Sequence, residues 1–189
     1  GKPEGFNQRH LRRIAGLVTG KDGSMPPEFA QVHEWLDAHV PAEAGATIIH
    51  NDFRIGNLMW ASSPPARLLA MLDWELATLG DPLFDLAYLL ASIPQPGIAR
   101  TPTQDMARAT LHPDFPAVEK LADRYATRTG YALAHLRWYL VMVNWKLAIL
   151  YNYSRQRGMD PYYATPGLVE SFLTEARRQV AADLHGVEG

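Results

Sequence analysis

A carboxylate and a carboxamide five residues apart, Asp52 and Asn57, lie in the stretch His50-Asn51-Asp52-Phe53-Arg54-Ile55-Gly56-Asn57. A further carboxylate, Asp73, follows in Leu72-Asp73-Trp74-Glu75. Hard oxygen donors of this kind suit Mg2+, which takes one or two carboxylates and fills its shell with water and phosphate. Phosphoryl transfer asks for such a set, because its loose transition state is served by positioning and charge neutralisation. A carboxylate such as Asp52 would orient an acceptor hydroxyl and take its proton. Asn57 and Asp73 would hold the metal, and Arg54 would reach the transferred phosphate. Each residue also has a plainer reading. Asn57 can be a turn residue, Asp73 a strand-end cap, Arg54 the partner of a nearby carboxylate, and Glu75 half of a structural salt bridge.

Short strands must hold these groups. Residues 46–50, 58–61 and 68–72 read as strands, with a loop over 51–56 and the turn Ser62-Ser63-Pro64-Pro65 between the last two. Gly56 is expected to let the backbone turn tightly before Asn57. If the strands pair, the strand end carrying Asp73 approaches the loop. The rest is helical. The pattern predicts helices over 7–18, closed by Gly20, and over 28–39, where Pro41 stops the chain. Asp81 followed by Pro82 reads as a helix cap with proline in the first turn, and that helix runs to about Ile93. A proline-rich stretch over 94–114 precedes helices at about 117–128, 133–156 and 166–184. The fold class is α+β, mostly helical with a small β insertion carrying the loop, and no linker divides it.

Composition narrows the partners. The 189 residues are 47% hydrophobic with a net charge of -2, which offers nothing to nucleic acid or an anionic membrane. There is no cysteine, which excludes disulfides and thiolate zinc sites and agrees with a cytoplasmic setting. Residues 138–151 are nearly all apolar but too short to span a bilayer and include Asn144 and Lys146, so a buried helix is expected. Trp138, Tyr139, Trp145, Tyr151 and Tyr153 recur at helical spacing and read as core before pocket. His33-Glu34-Trp35-Leu36-Asp37 misses the zinc motif at its last ligand and reads as helix surface. No Gly-x-Ser-x-Gly elbow is present.

The spacing Asp-x-x-x-x-Asn with His50 two residues before Asp52, followed by Leu-Asp-Trp-Glu and Gly-Asp-Pro-Leu-Phe-Asp-Leu-Ala, resembles the aminoglycoside-phosphotransferase and choline-kinase-like family. Within it, the chain looks most like the phosphotransferase domains related to those fused to acyl-CoA dehydrogenases. The resemblance implies the C-terminal lobe of a protein-kinase-like fold over residues 1–189. It implies ATP-dependent, Mg2+-assisted transfer of the γ-phosphate to a hydroxyl of a small molecule. Asp52 matches the catalytic base, Asn57 and Asp73 the metal ligands, and His50 and Asp85 the supports of the catalytic loop. Such kinases also carry an N-terminal lobe with a phosphate-neutralising lysine. The four lysines here, Lys2, Lys21, Lys120 and Lys146, lie on no strand pattern, so that lobe is expected upstream. A metal-dependent hydrolase built on His50, Asp52 and Asp73 is the rival enzyme class. A non-catalytic kinase-like binding module is the rival outside enzymes. The C-terminal part mixes acidic and basic side chains, which does not suit a polycationic antibiotic. A hydroxylated acid or acyl metabolite is the acceptor suggested by the resemblance.

Overall fold

The computed structural model describes residues 4–184. Contacts gather into two compact units interleaved in sequence. One comprises residues 44–133, and the other residues 4–43 together with 134–184.

The first unit contains every strand among the described residues. β1 (Thr47–Ile49) pairs antiparallel with β4 (Thr78–Gly80), Ile48 opposite Leu79. β2 (Leu58–Trp60) pairs antiparallel with β3 (Leu68–Met71), Leu58 opposite Met71, with an irregularity between Met59 and Trp60. β4 is absent from the sequence reading, because three residues ending in glycine give no alternation to detect. Its consequence is topological. Residues 50–57 lead from the first ladder to the second, and residues 72–77 lead back. Two connections between the same pair of ladders are forced to run side by side.

Helix α3 (Leu83–Ser92) follows β4 directly. Asp81 caps it: its carboxylate accepts from the Leu83 N–H at 3.0 Å and from the Ala44 N–H at 3.0 Å. Leu83, Phe84, Leu86, Ala87, Tyr88 and Leu90 are buried along α3. The short α4 (Pro102–Met106) has a complete capping box between Thr101 and Gln104, the residue types such a box requires. Gln104 also donates to the Ala91 carbonyl near the end of α3 at 3.1 Å. Helix α5 (Val118–Thr129) packs on α3 and ends at Gly130 in the left-handed conformation.

The second unit is helical. α1 (Phe6–Ala15) buries Phe6, Leu11 and Ile14 and stops at Gly16, earlier than the periodicity suggests, because Leu17 faces solvent. No local side chain caps its start. Instead the Glu43 carboxylate accepts from the N–H groups of Asn7 at 3.0 Å and Gly5 at 3.3 Å. α2 (Pro27–Ala38), α6 (Leu136–Arg157) and α7 (Leu168–Leu184) pack on one another. Trp145, Tyr139 and Trp138 are core residues, and the indole N–H groups of Trp138 and Trp145 donate to the carbonyls of Leu36 and Phe29 at 2.9 and 3.1 Å. Tyr151 and Tyr153 are half-buried. Glu34 and Asp37 lie on the surface of α2, so the near-miss zinc motif is helix surface as read. Among the described residues no helix is long and apolar enough to cross a membrane.

Candidate active site

The loop from β1 to β2 is tied down from three directions. From below, the Asp85 carboxylate on α3 accepts from the His50 N–H at 2.7 Å and from the Asn51 N–H at 2.8 Å. One carboxylate thereby satisfies two successive backbone donors with charge-assisted bonds. Asn51 then takes a left-handed conformation, φ 66°, which asparagine tolerates better than most residues. Its amide donates to the Leu76 carbonyl at 3.3 Å, joining the outgoing connection to the returning one.

His50 makes the second tie. Its Nε2 lies 2.7 Å from the Leu72 carbonyl, which can only accept, so Nε2 carries the proton. Nδ1 is then the acceptor for the Asp52 N–H at 3.3 Å. Both ring nitrogens are committed, and the buried ring lies against Trp74 at 4.8 Å between centroids. A metal-dependent hydrolase loses its first ligand here. Among the described residues no three His, Asp or Glu side chains are grouped to hold a metal.

Asn57 is the third tie. Its amide nitrogen donates to the Asp52 carbonyl at 2.8 Å and to the Asp52 Oδ2 at 2.9 Å. Both partners only accept, which fixes the amide orientation and leaves Oδ1 as the outward donor atom. That oxygen has no hydrogen bond among the described residues.

Asp73 comes to the same place by register. The Leu72 N–H donates to the Asn57 carbonyl at 2.8 Å, continuing the β2–β3 ladder, and Asp73 is the next residue. It is left-handed, φ 65°, and exposed. It precedes a single 3-10 turn over Trp74–Leu76, yet its side chain makes no capping bond there. The strand-end cap reading of Asp73 therefore fails, and its carboxylate is without a partner among the described residues. Among the described residues Glu75 has no salt bridge either, contrary to its structural reading. An exposed left-handed aspartate with no protein partner among the described residues has its carboxylate available to a ligand.

Arg54 folds back over the loop. Its Nε lies 3.4 Å from Asp52 Oδ2, and its NH1 lies 3.7 Å from the Met106 sulfur on α4. Gly56 has no positive φ, so the expected tight turn is not its purpose. A Cβ there would stand 2.7 Å from Arg54 NH1: the glycine leaves room for the guanidinium. Tyr125 on α5 donates to the Pro82 carbonyl at 3.5 Å at the start of α3. Partial burial, then Tyr131 and the Asp85 and Asp81 carboxylates, push its hydroxyl up to about 12.

The model of the phosphotransferase enzyme family matches residues 1–139. The chain belongs to this family. Mouse acyl-CoA dehydrogenase family member 10 is 27% identical over 195 residues, covering all of this chain. Human acyl-CoA dehydrogenase family member 11 is 28% identical over 134 residues, covering 70% of it. The chain spans only 18% and 16% of those two proteins. A crystal structure of a candidate aminoglycoside phosphotransferase from Ralstonia eutropha JMP134 superposes with a TM-score of 0.68 and 25% identity. That match covers 94% of this chain and 57% of the other. The helix-rich unit with small antiparallel ladders is thus the kinase-like fold of this phosphotransferase family, as the sequence resemblance implied.

Proposed function

We propose that this phosphotransferase transfers the γ-phosphate of ATP to a hydroxyl group of a small molecule. Asp52 orients the hydroxyl and accepts its proton as the new O–P bond forms. Arg54 meets the transferred phosphate as its bond to the ADP oxygen breaks, and Asn57 and Asp73 would hold Mg2+. The donor set fits that ion: one free carboxylate and one outward amide oxygen leave most positions to water and phosphate. When bound, the ion neutralises phosphate charge. The residues do the rest. Asn57 restrains Asp52 through its backbone and side chain at once, and His50 and Asp85 hold the loop so that neither drifts. The observation that carries this reading is Asp73. It is an unpartnered left-handed aspartate, next in register to the residue bonded to Asn57.

The phosphate-neutralising lobe is supplied, on this reading, by residues outside the sequence. Large apolar side chains left exposed on β2 and β3, among them Trp60 and Leu69, support that. The names of the mouse and human relatives suggest a hydroxylated acid or acyl compound as the acceptor to screen first. The setting is cytoplasmic.

The test is thermal stability with ATP, Mg2+ and both, on this chain and on the same chain joined to a family nucleotide lobe. The joined protein should be stabilised by the pair together and by neither alone. Asp52→Asn should keep that shift and lose about 10²–10⁴-fold in phosphorylation rate. Stabilisation without Mg2+, or full turnover by Asp52→Asn, overturns the assignment.

A further inference from the structure

Arg54 is only loosely held. Its contact with Asp52 is single and long, 3.4 Å, rather than the paired fork that a guanidinium can make with a carboxylate. No other carboxylate touches it among the described residues. Two neutral surfaces bound it instead. Near its NH1 lie the bare Cα of Gly56 and the thioether of Met106, which accepts from NH1 at 3.7 Å and belongs to a residue 55% exposed. Met106 would have no reason to be fixed there by its own packing. α4 fixes it: the Thr101–Gln104 capping box sets the helix, and Gln104 anchors it to the Ala91 carbonyl of α3. The same α3 carries Asp85, which holds the loop that bears Arg54. The arrangement is a closed circuit from loop to α3, from α3 to α4, and from α4 back to the loop. The charged neighbours on this segment are otherwise occupied, since Asp105 pairs with Arg100 at 2.8 Å and lies 3.8 Å from Arg108.

We propose that Met106 is a positioning residue. Its side chain, delivered by α4, backs the guanidinium of Arg54 and holds it over Gly56 beside Asp52. The role at the phosphate rests on the reading of Arg54 given above. The contact itself does not. An arginine carries much rotamer freedom on its long stem, so the close glycine and the weak N–H···S bond confine the fork while engaging only an NH1 hydrogen. Arg54 has no further hydrogen bond among the described residues, so the rest of its fork is left for an anion.

The experiment reads the Arg54 Nε–H resonance in proton–nitrogen spectra of the full chain, assigned by its loss in Arg54→Lys. Met106→Ala should shift that crosspeak and speed its exchange with water, while the backbone amides of Thr103 and Gln104 stay in place. Met106→Leu should restore it. Gly56→Ala, whose Cβ would stand 2.7 Å from NH1, should move the same crosspeak. The inference is overturned if the crosspeak is unmoved in Met106→Ala, or if it moves only when the α4 amides move with it. No nucleotide is needed, so this result and the Mg-ATP result fail or succeed separately.

Discussion

The helical unit and the short strands beside the loop use apolar side chains in opposite ways. In the helical unit, Phe29, Tyr139, Trp145 and Phe172 are sealed, and the indole N–H groups that go in with them find carbonyls. In the unit that carries the loop, Ile48 is 71% exposed and Leu69 54%, while the residues sealed inside include His50, Asn51, Asn57 and Asp81. There the polar groups are buried and the strands' large apolar groups are outside. Burying polar groups is tolerable only when they are paired, and in the loop the His50 ring, the His50 and Asn51 N–H groups and the Asn57 amide nitrogen are paired bond by bond. The helical unit is stabilised by what it excludes from water. The order of the loop comes from hydrogen bonds that few alternatives could satisfy.

The sharpest way to break this contrast is one substitution of each kind. Phe29→Ala in the helical unit should cost about 3–5 kcal/mol, the range for deleting a buried aromatic. Ile48→Thr on β1 should stay within about 0.5 kcal/mol, since an exposed strand position has little to lose. Urea denaturation of the two variants measures both. A loss at Ile48→Thr comparable with that at Phe29→Ala would mean that this strand position is packed rather than exposed.

A smaller effect tests the other half. Asp85→Asn offers one oxygen to two N–H donors and turns an amide toward the second. The cost should be about 1–3 kcal/mol for the donor left unpaired. Amide exchange at His50 and Asn51 should rise more than exchange along α6. Unchanged protection at both would remove Asp85 as the brace.

Much of this was legible in the sequence, and for identifiable reasons. Asp52, Asn57 and Asp73 are polar residues bounded by short apolar runs, so three strands and the loop between them could be drawn before any coordinates. Asp81 before Pro82 announced a helix start because capping is a local signal. What stayed hidden depends on distance along the chain. The Glu43 carboxylate that caps α1 and the Met106 that touches Arg54 lie 36 and 52 residues from their partners. Gly56 was misread for a subtler reason. A glycine can mean an unusual φ or a missing side chain, and only the neighbour at 2.7 Å tells which. Nor does any apolar run announce that its side chains will face water, as those of β2 and β3 do.

The smallest effect concerns one of the buried polar residues of the helical unit. His10 on α1 is buried, stacked on Phe6 at 5.3 Å, with its Nδ1 3.1 Å from Arg13 NH2. An arginine only donates, so Nδ1 accepts and the ring is neutral. Protonation would cost that bond and place a cation beside two others. Burial, then Lys146, then Arg13 hold its pKa well below the usual 6.5. A histidine with a lowered folded-state pKa is charged first in the unfolded chain, so the unfolded state binds more protons in the window between the two values. Stability from this source is complete above about pH 6.5 and falls as the pH drops toward the folded-state pKa, by at most about 1.4 kcal/mol per pH unit. His10→Gln keeps an acceptor for Arg13 and removes the titration. The difference in urea stability between the two proteins should therefore change between pH 7 and pH 5, with the wild type losing more. A constant difference would mean that the ring is already charged, or that water reaches it, and the helical unit would then hide a polar site after all.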